Sequence, residues 1–122
     1  MSTKYGGKGG SIVNLSSGAA KYGSPGEYVD YAASKAAIDT LTIGLAREVA
    51  EEVIRVNAVR PGFIDTEIHQ SGGEPDRMER VRPLVPMKRV GQAEEVADAI
   101  MWLLSDKASY TTGTILDVSG GR

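Results

Sequence analysis

Two residues of this 122-residue chain, Tyr31 and Lys35, have the types and the spacing needed for proton transfer. They lie four positions apart in a segment with helical periodicity, so their side chains share one face of the predicted helix. A neighbouring ammonium group favours the phenolate, and a tyrosine in this setting can act as an acid or a base near neutral pH. Many helices contain the same pair as a packed ring beside a solvated amine, so the pair alone is weak evidence of catalysis.

Two adjacent hydroxyl groups, on Ser16 and Ser17, precede Tyr31 in the sequence. They follow a short β-branched run, residues 11–16, whose glycine and serine boundaries predict a buried strand of a parallel sheet. A hydroxyl at the carboxyl end of such a strand faces the ligand crevice of an open α/β sheet. Alternation along the strand would point the two serines to opposite sides, and the pattern leaves open which of them faces the crevice.

A long helix is predicted after the serines, because residues 24–27 have the form of a capping box with a proline at the first helical position. Apolar residues then recur every four positions from residue 28 to about residue 53. The predicted buried stripe consists of Ala37, Leu41, Leu45, Val49 and Val53, and it is widened by Ile38 and Ala46. This helix would carry the tyrosine and the lysine.

A second strand is predicted at residues 55–60, which alternate polar and apolar side chains and stop at Pro61 and Gly62. Alternation alone would leave one face of this strand in water, yet the small Asn57 can be buried if it is hydrogen-bonded. The Pro61 and Gly62 pair, taken alone, indicates an ordinary turn at the end of a strand.

The rest of the chain continues the alternation of helix and strand. The pattern predicts a short helix at residues 76–81, a helix at residues 92–105 and a last strand at residues 115–118. Strand, helix, strand, long loop, helix, strand is the order of a parallel sheet with right-handed crossovers. The sequence therefore predicts an α/β fold in which three strands and two crossover helices form a small part of an open sheet.

Composition excludes several classes of function. The 14 basic and 16 acidic residues are interspersed, with no basic stripe for nucleic acid or anionic lipid. Cysteine is absent and His69 is the only histidine, so we predict no metal site, disulfide or cysteine nucleophile. The longest apolar run, residues 99–104, is far too short to span a bilayer, and residues 1–10 lack the apolar core of a signal peptide. We predict a cytoplasmic protein without a membrane or nucleic-acid partner.

Taken together, the motifs resemble those of the classical short-chain dehydrogenase/reductase family. The resemblance rests on NLSS at 14–17, YAASK at 31–35, NAVRPGFIDT at 57–66 and SGG at 119–121, in this order and spacing. The combination is far more specific than any one motif. The resemblance covers essentially the whole chain and implies a Rossmann-like doubly wound parallel sheet. Residues 1–122 would form the C-terminal half of one such domain.

The resemblance implies a role for each motif residue. Tyr31 would donate and accept the proton, and Ser17 would hydrogen-bond the substrate oxygen. Lys35 would stabilise the phenolate and bind the nicotinamide-ribose hydroxyls. The carboxamide of the nicotinamide would bind the main chain of Ile64 and also Thr66. The implied cofactor contacts are Tyr31, Lys35, Pro61, Gly62, Ile64 and Thr66.

The stretch from residue 63 to residue 91 is long for a plain connection, and loops of this kind are often functional lids. The resemblance implies that this substrate-loop region closes over the substrate. Its candidate apolar walls, which could instead pack the loop down, are Phe63, Ile68, Met78, Leu84 and Met87. His69 is better explained as a surface histidine than as a second acid or base. Trp102 fits a subunit interface and ordinary packing equally well.

Part of the family pattern has no counterpart in this sequence. The glycine-rich residues 6–10 precede a strand, so they fail the strand, glycine turn, helix test for a dinucleotide fingerprint. The resemblance therefore implies that the N-terminal dinucleotide-binding half is absent. The strand at residues 11–16 would then expose a flat edge that invites self-pairing in a homo-oligomer or a complementary fragment. A piece of a longer enzyme and a short product that folds by oligomerising both stay open.

We therefore predict that the parent polypeptide is an NAD(P)-dependent oxidoreductase that interconverts a carbonyl and an alcohol on a small-molecule substrate. This chain would contact only the nicotinamide half of NAD or NADP, and by itself it would be inactive or impaired. The alternative is a non-catalytic structural or interaction fragment that folds by oligomerisation. Fold-level analogy does not supply the substrate.

Overall fold

The computed structural model describes residues 1–66 and 76–122, so the predictions for Ile68 and His69 lie outside the described residues. The elements in chain order are β1 (Gly10–Leu15), α1 (Ala19–Tyr22), α2 (Val29–Val49), β2 (Ile54–Pro61), β3 (Ile64–Asp65), α3 (Arg77–Val81), β4 (Gly91–Gln92), α4 (Ala93–Leu104) and β5 (Ile115–Val118). Among the described helices, none combines the length and the apolar character needed to cross a membrane.

A three-stranded parallel sheet in the order β1, β2, β5 forms the centre of the fold. β2 lies in the middle, with Ile54 opposite Gly10 at one end and Pro61 opposite Val118 at the other. Asn57 in β2 is fully buried, donates from Nδ2 to the Thr111 carbonyl oxygen at 3.0 Å and accepts at Oδ1 from a main-chain N–H of the same loop. The predicted α/β class, the parallel sheet and the hydrogen-bonded burial of Asn57 are confirmed.

β1 is less buried than the sequence predicts. Its residues are half-buried, and Leu15 at its end is 53% exposed. The reason is topological, because β1 pairs only with β2 among the described residues and so forms an edge of the sheet. The prediction of a strand was right, and the prediction of its full burial was wrong.

The start of α2 also differs from the prediction. Ser24 does not cap a helix but has a positive φ of 48°, and its carbonyl oxygen accepts from the N–H groups of Glu27 and Tyr28. Because of this turn, α2 begins only at Val29, and no described side chain caps the first turn of the helix. The short helix α1 lies between the serines and this turn, where the sequence predicted no helix.

The buried face of α2 agrees only in part with the predicted apolar stripe, because Leu45, Ala46 and Val49 pack as predicted whereas other members of the stripe do not. Leu41, at the centre of that stripe, is 54% exposed, and Ala37 is exposed as well. Val53 lies beyond the helix, which ends at Val49 and is followed by a single 3-10 turn. The residues of α2 that are buried or packed against the core are Ala32, Thr42, Leu45, Ala46 and Val49.

Thr42 explains part of the difference between the predicted and the observed buried face. Its hydroxyl donates to the Ile38 carbonyl oxygen at 2.8 Å and accepts from Asn14 Nδ2 at 3.0 Å, so a polar side chain is satisfied inside the core. Beside it, Ala46 packs with Ile54 and Val56 of β2. A hydrogen-bonded polar residue leaves no apolar signal, and the pattern therefore missed Thr42 and assigned the exposed Leu41 to the buried face.

The remaining elements follow the prediction closely. The helix predicted at residues 76–81 is Arg77–Val81, the helix predicted at 92–105 is Ala93–Leu104, and the last strand is Ile115–Val118. α4 begins with a capping box in which the side chains of Gln92 and Glu95 each bind the other residue's main-chain N–H. These elements place the carboxyl ends of β1, β2 and β5 side by side.

Candidate active site

The two adjacent serines at the end of β1 have different surroundings. Ser16 is only 4% exposed, and its hydroxyl donates to the Lys35 carbonyl oxygen at 3.4 Å. Ser17 is half-buried and lines an open cleft, where its Oγ accepts from the Ala19 N–H at 3.1 Å. Of the two hydroxyls, the one on Ser17 is therefore accessible from the cleft.

Tyr31 and Lys35 lie on the same face of α2, one turn apart. The Tyr31 side chain lines the same cleft as Ser17, and the residue is 45% exposed. Lys35 Nζ lies 5.7 Å from the centroid of the tyrosine ring and donates to the Leu15 carbonyl oxygen at 3.0 Å. The end of β1 therefore holds the ammonium group beside the phenol ring.

The turn after β2 packs tightly against the neighbouring strand ends. The Gly18 N–H donates to the Pro61 carbonyl oxygen at 2.9 Å, and the Gly62 N–H donates to Val118 at 3.0 Å. A Cβ built on Gly62 would lie 2.9 Å from both Cα and Cβ of Ser119, which is closer than real side chains approach. Glycine is therefore needed at this position for steric reasons.

The segment after this turn is held by a small parallel sheet that the sequence did not reveal. In this sheet β3 pairs with β4, so that Ile64 lies opposite Gly91 and Asp65 opposite Gln92. The Gly91 N–H also donates to the Phe63 carbonyl oxygen at 2.9 Å. Strands of two residues are too short to show any periodicity, so no local signal was available.

An ion pair fixes β4 to the start of α4. Glu95 accepts from both terminal nitrogens of Arg89, at 3.0 and 2.8 Å, and from the Gln92 N–H at 2.8 Å. The hydrogen bonds from Arg89 are the main reason that the pKa of Glu95 falls to about 2. Because β4 pairs with β3, this clamp also positions Ile64.

A second charged group joins α2 to the ends of β2 and β5. Arg60 donates to both oxygens of Asp117, at 2.7 and 3.2 Å, and to Asp39 Oδ2 at 3.2 Å. The bond with Asp117 raises the pKa of Arg60, and the same bond lowers the pKa of Asp117. The other oxygen of Asp39 is buried without a hydrogen-bond partner among the described residues. Contacts between residues so far apart in the chain have no local sequence signal.

The structure thus brings most of the predicted site residues into one cleft of about 1060 Å³. Those that line it are Ser17, Tyr31, Pro61, Gly62 and Ile64. Two predicted site residues do not line it: Lys35, whose Nζ lies beside the Tyr31 ring, and Thr66, which is half-buried. Of the proposed apolar walls, Phe63 and Leu84 line this cleft, and Met87 lines a smaller adjoining one.

Comparison with known proteins identifies the family. A family model described as enoyl-(acyl carrier protein) reductase matches residues 2–122. The chain belongs to the short-chain dehydrogenase/reductase family. It is 68% identical, over its whole length, to the uncharacterized oxidoreductase YgfF of Escherichia coli K12 and covers 49% of that protein. The chain therefore spans about half the length of this curated relative.

Solved structures of this reductase family have the same fold. A 3-oxoacyl-(acyl-carrier protein) reductase from Brucella melitensis ATCC 23457 matches with a TM-score of 0.84 and 45% identity, over 91% of this chain and 41% of that one. A second structure of such a reductase from Brucella melitensis, with bound NAD, gives a TM-score of 0.80 and 44% identity over 91% and 40% of the two chains. The predicted Rossmann-like reductase fold is confirmed, and the chain is similar to oxidoreductases.

Proposed function

We propose that this chain carries the catalytic side of an NAD(P)-dependent oxidoreductase that interconverts a carbonyl and an alcohol on a small-molecule substrate. One observation carries the proposal: the Ser17 hydroxyl and the Tyr31 phenol line the same cleft, and Lys35 Nζ is held 5.7 Å from the tyrosine ring. Carbonyl reduction needs a hydrogen-bond donor to the oxygen and a proton source. These side chains supply both.

Ser17 is suited to bind the substrate oxygen. A hydroxyl offers one donor and two acceptor sites, and the Ala19 N–H occupies one of the acceptor sites of Ser17 Oγ. Its proton is then available to the substrate oxygen. This hydrogen bond strengthens as the carbonyl oxygen gains negative charge during reduction.

Tyr31 transfers the proton. In the direction of reduction, the phenol O–H bond breaks and its proton joins the substrate oxygen as the carbonyl becomes an alcohol; in the reverse direction the phenolate takes the proton back. The nearby positive charge of Lys35 stabilises the phenolate that forms. Lys35 donates one of its three ammonium N–H groups to the main-chain oxygen of Leu15, and two remain for other acceptors.

The residues at the strand ends suit a nicotinamide cofactor. Gly62 has no side chain and lines the cleft, and its main chain packs directly against Ser119. The nicotinamide would be held by Pro61, Gly62, Ile64 and Thr66. Lys35 and Tyr31 would hydrogen-bond the hydroxyls of the ribose attached to it. When bound in its reduced form, the cofactor supplies the hydride to the carbonyl carbon. Either NAD or NADP fits this half of the site.

A second candidate function is a non-catalytic interaction module that assembles through its exposed surfaces. It is favoured by the edge strand β1 and by the exposed apolar side chains of Leu41, Met101 and Trp102. This candidate predicts assembly that depends on protein concentration, measured by light scattering, and no binding of NADH or NADPH. Saturable binding of either cofactor would exclude it.

The proposal is tested by the variant Tyr31→Phe in the polypeptide at its natural full length. Oxidation of NADH and NADPH is followed by absorbance with a panel of ketones and aldehydes. Loss of the proton donor is expected to lower kcat by about 10²- to 10⁴-fold. The matched control is Tyr28→Phe, because Tyr28 lines the same cleft and is also about half exposed. Equal activities of the two variants, or no cofactor binding by the wild type, would contradict the proposal.

A further inference from the structure

We propose that the guanidinium of Arg122 binds an anionic group, a carboxylate or a phosphate, on the substrate of this cleft. This inference rests on the proposed function and adds a substrate class to it. It starts from an arginine that is held in place by aromatic rings at the junction of both clefts.

Arg122 is fixed by both its main chain and its side chain. The carbonyl oxygen of Arg122 accepts from the Tyr22 hydroxyl and from Lys21 Nζ. Its guanidinium carbon lies 4.7 Å from the ring centroid of Tyr22 and 4.7 Å from that of Phe63. Stacking of this kind is typical of arginine and restricts its rotamers before any ligand binds.

The guanidinium of Arg122 keeps its hydrogen-bond donors. A guanidinium carries five N–H groups in its plane, and an aromatic ring attracts its charge without accepting those hydrogen bonds as an oxygen does. Within residues 1–66 and 76–122, no hydrogen bond or ion pair engages the Arg122 guanidinium, in contrast to those of Arg60 and Arg89. A carboxylate or a phosphate accepts two parallel N–H bonds from such a group.

The charges around the cleft favour an anion. Among the described residues, its lining contains four basic and two acidic side chains, which are Lys21, Arg77, Arg80, Arg122, Glu27 and Asp117. Arg77 and Arg80 have interactions of their own, and Asp117 is bound through both oxygens by Arg60 and lies 3.8 Å from Lys21 Nζ. The whole chain has a net charge of −2, so this positive balance is a local property of the cleft. Clefts lined by one sign of charge concentrate ligands of the opposite sign.

The test measures binding of simple anions to the polypeptide at its natural full length. Sodium phosphate and sodium acetate are titrated separately, with sodium chloride as the control for ionic strength, and the backbone amides of Lys21, Tyr22 and Phe63 are followed by NMR. We expect saturable shifts with at least one of the two anions. The anion that saturates at the lower concentration identifies the phosphate or the carboxylate as the preferred group.

Matched variants separate Arg122 from general electrostatics. Arg122→Gln is expected to weaken anion binding by about 10- to 100-fold, the typical effect of losing hydrogen bonds to a charged group. Arg122→Lys keeps the charge but loses the paired donors, so its affinity should be intermediate. Arg47→Gln removes an exposed arginine of α2 outside both clefts and should leave the affinity unchanged.

Any of the following results would overturn the inference: no saturable shift with either anion, shifts equal to those in sodium chloride, or equal affinities in wild type and Arg122→Gln. Its failure is distinguishable from failure of the proposed function, because this assay needs no turnover. Tyr31→Phe should bind the anion like the wild type. Loss of anion binding in that variant would also contradict the inference, since Tyr31 would then be part of the anion site.

Discussion

Two of the walls of the cleft are held by different interactions. The strand-end wall, residues 16–18 and 60–62, is joined by main-chain hydrogen bonds to its neighbours, as from the Gly62 N–H to Val118. The helix wall, residues 24–31, turns through Ser24 at a positive φ and presents half-exposed tyrosines from a helix start without a described side-chain cap. Main-chain hydrogen bonds hold the strand-end wall in place, whereas the helix wall contributes side chains that are partly exposed to solvent.

Because the two walls are held differently, substitutions in the strand-end wall should mainly change stability, and substitutions in the helix wall should mainly change catalysis. At the strand-end wall, a Cβ on Gly62 has no space, and Arg60 ties the same strand end to α2 and β5. Most substitutions in the strand-end wall are expected to affect the site by lowering the stability of the fold. On the helix wall, Tyr31 is half exposed, so removal of its hydroxyl should cost little stability.

Within the strand-end wall, the largest expected effect is a difference between two adjacent hydroxyl groups. Ser17→Ala removes the cleft-facing hydroxyl and should lower kcat by about 10²- to 10³-fold, as for loss of one donor to a developing oxyanion. Ser16→Ala removes a buried hydroxyl that is bonded to the main chain, and should leave kcat within a few-fold. Both are measured as NAD(P)H oxidation by the polypeptide at its natural full length.

Urea denaturation supplies the control for this pair. Ser16→Ala is expected to lower the free energy of unfolding by about 1 kcal/mol, because a buried hydrogen bond to the Lys35 carbonyl is lost. If Ser16→Ala instead abolished activity while Ser17→Ala had no effect, the assignment of the two serines would be reversed.

A smaller effect is expected from a methyl group added at the strand-end wall. Gly62→Ala forces the backbone of Ser119 to move and should cost about 1–3 kcal/mol of unfolding free energy, with weaker NADH binding. Gly44→Ala is the matched control, since no described atom lies within 4 Å of a Cβ built there in the middle of α2. It should stabilise the chain by about 0.5–1 kcal/mol. Equal unfolding free energies for the two variants would show that the approach to Ser119 is not restrictive.

The smallest effect concerns the clamp that supports Ile64. The pKa of Glu95 is lowered from 4.5 to about 2, so the ionised carboxylate stabilises the folded state above pH 4.5, and this stabilisation disappears as the pH falls towards 2. The stability difference between wild type and Glu95→Gln, from urea denaturation, should therefore shrink between about pH 6 and about pH 3. Because both partners of this ion pair are largely exposed, salt should reduce the difference. A difference that is constant with pH would contradict the role of the Arg89 pair.

The fold was predictable where the signal is local. β2, α4 and β5 have clear periodicity and lie within one or two residues of their predicted bounds. The start of α2 was missed because the sequence at Ser24 resembles a capping box but adopts a left-handed turn. The exposed Leu41 shows a second limit, since the true buried face contains Thr42, whose burial depends on hydrogen bonds that a hydropathy pattern does not record.

The candidate site was also predictable only in part, because only its local motifs leave a signal in the sequence. Ser17, Tyr31 and Lys35 belong to motifs, and their roles stay predictions, as do those of Ile64 and Thr66. The features that position them depend on contacts between distant parts of the chain. The clamp at Glu95, the link between Asp39 and Asp117 through Arg60, and the stacking of Arg122 have no periodic or local pattern.

The most direct test of the account is a crystal structure of the polypeptide at its natural full length with NAD⁺ or NADP⁺ bound. The account predicts that the nicotinamide ribose hydroxyls lie within about 3.2 Å of Lys35 Nζ, with the ring between Tyr31 and the turn at Gly62. A dinucleotide whose nicotinamide lies outside this cleft, with Lys35 directed only at Leu15, would contradict it.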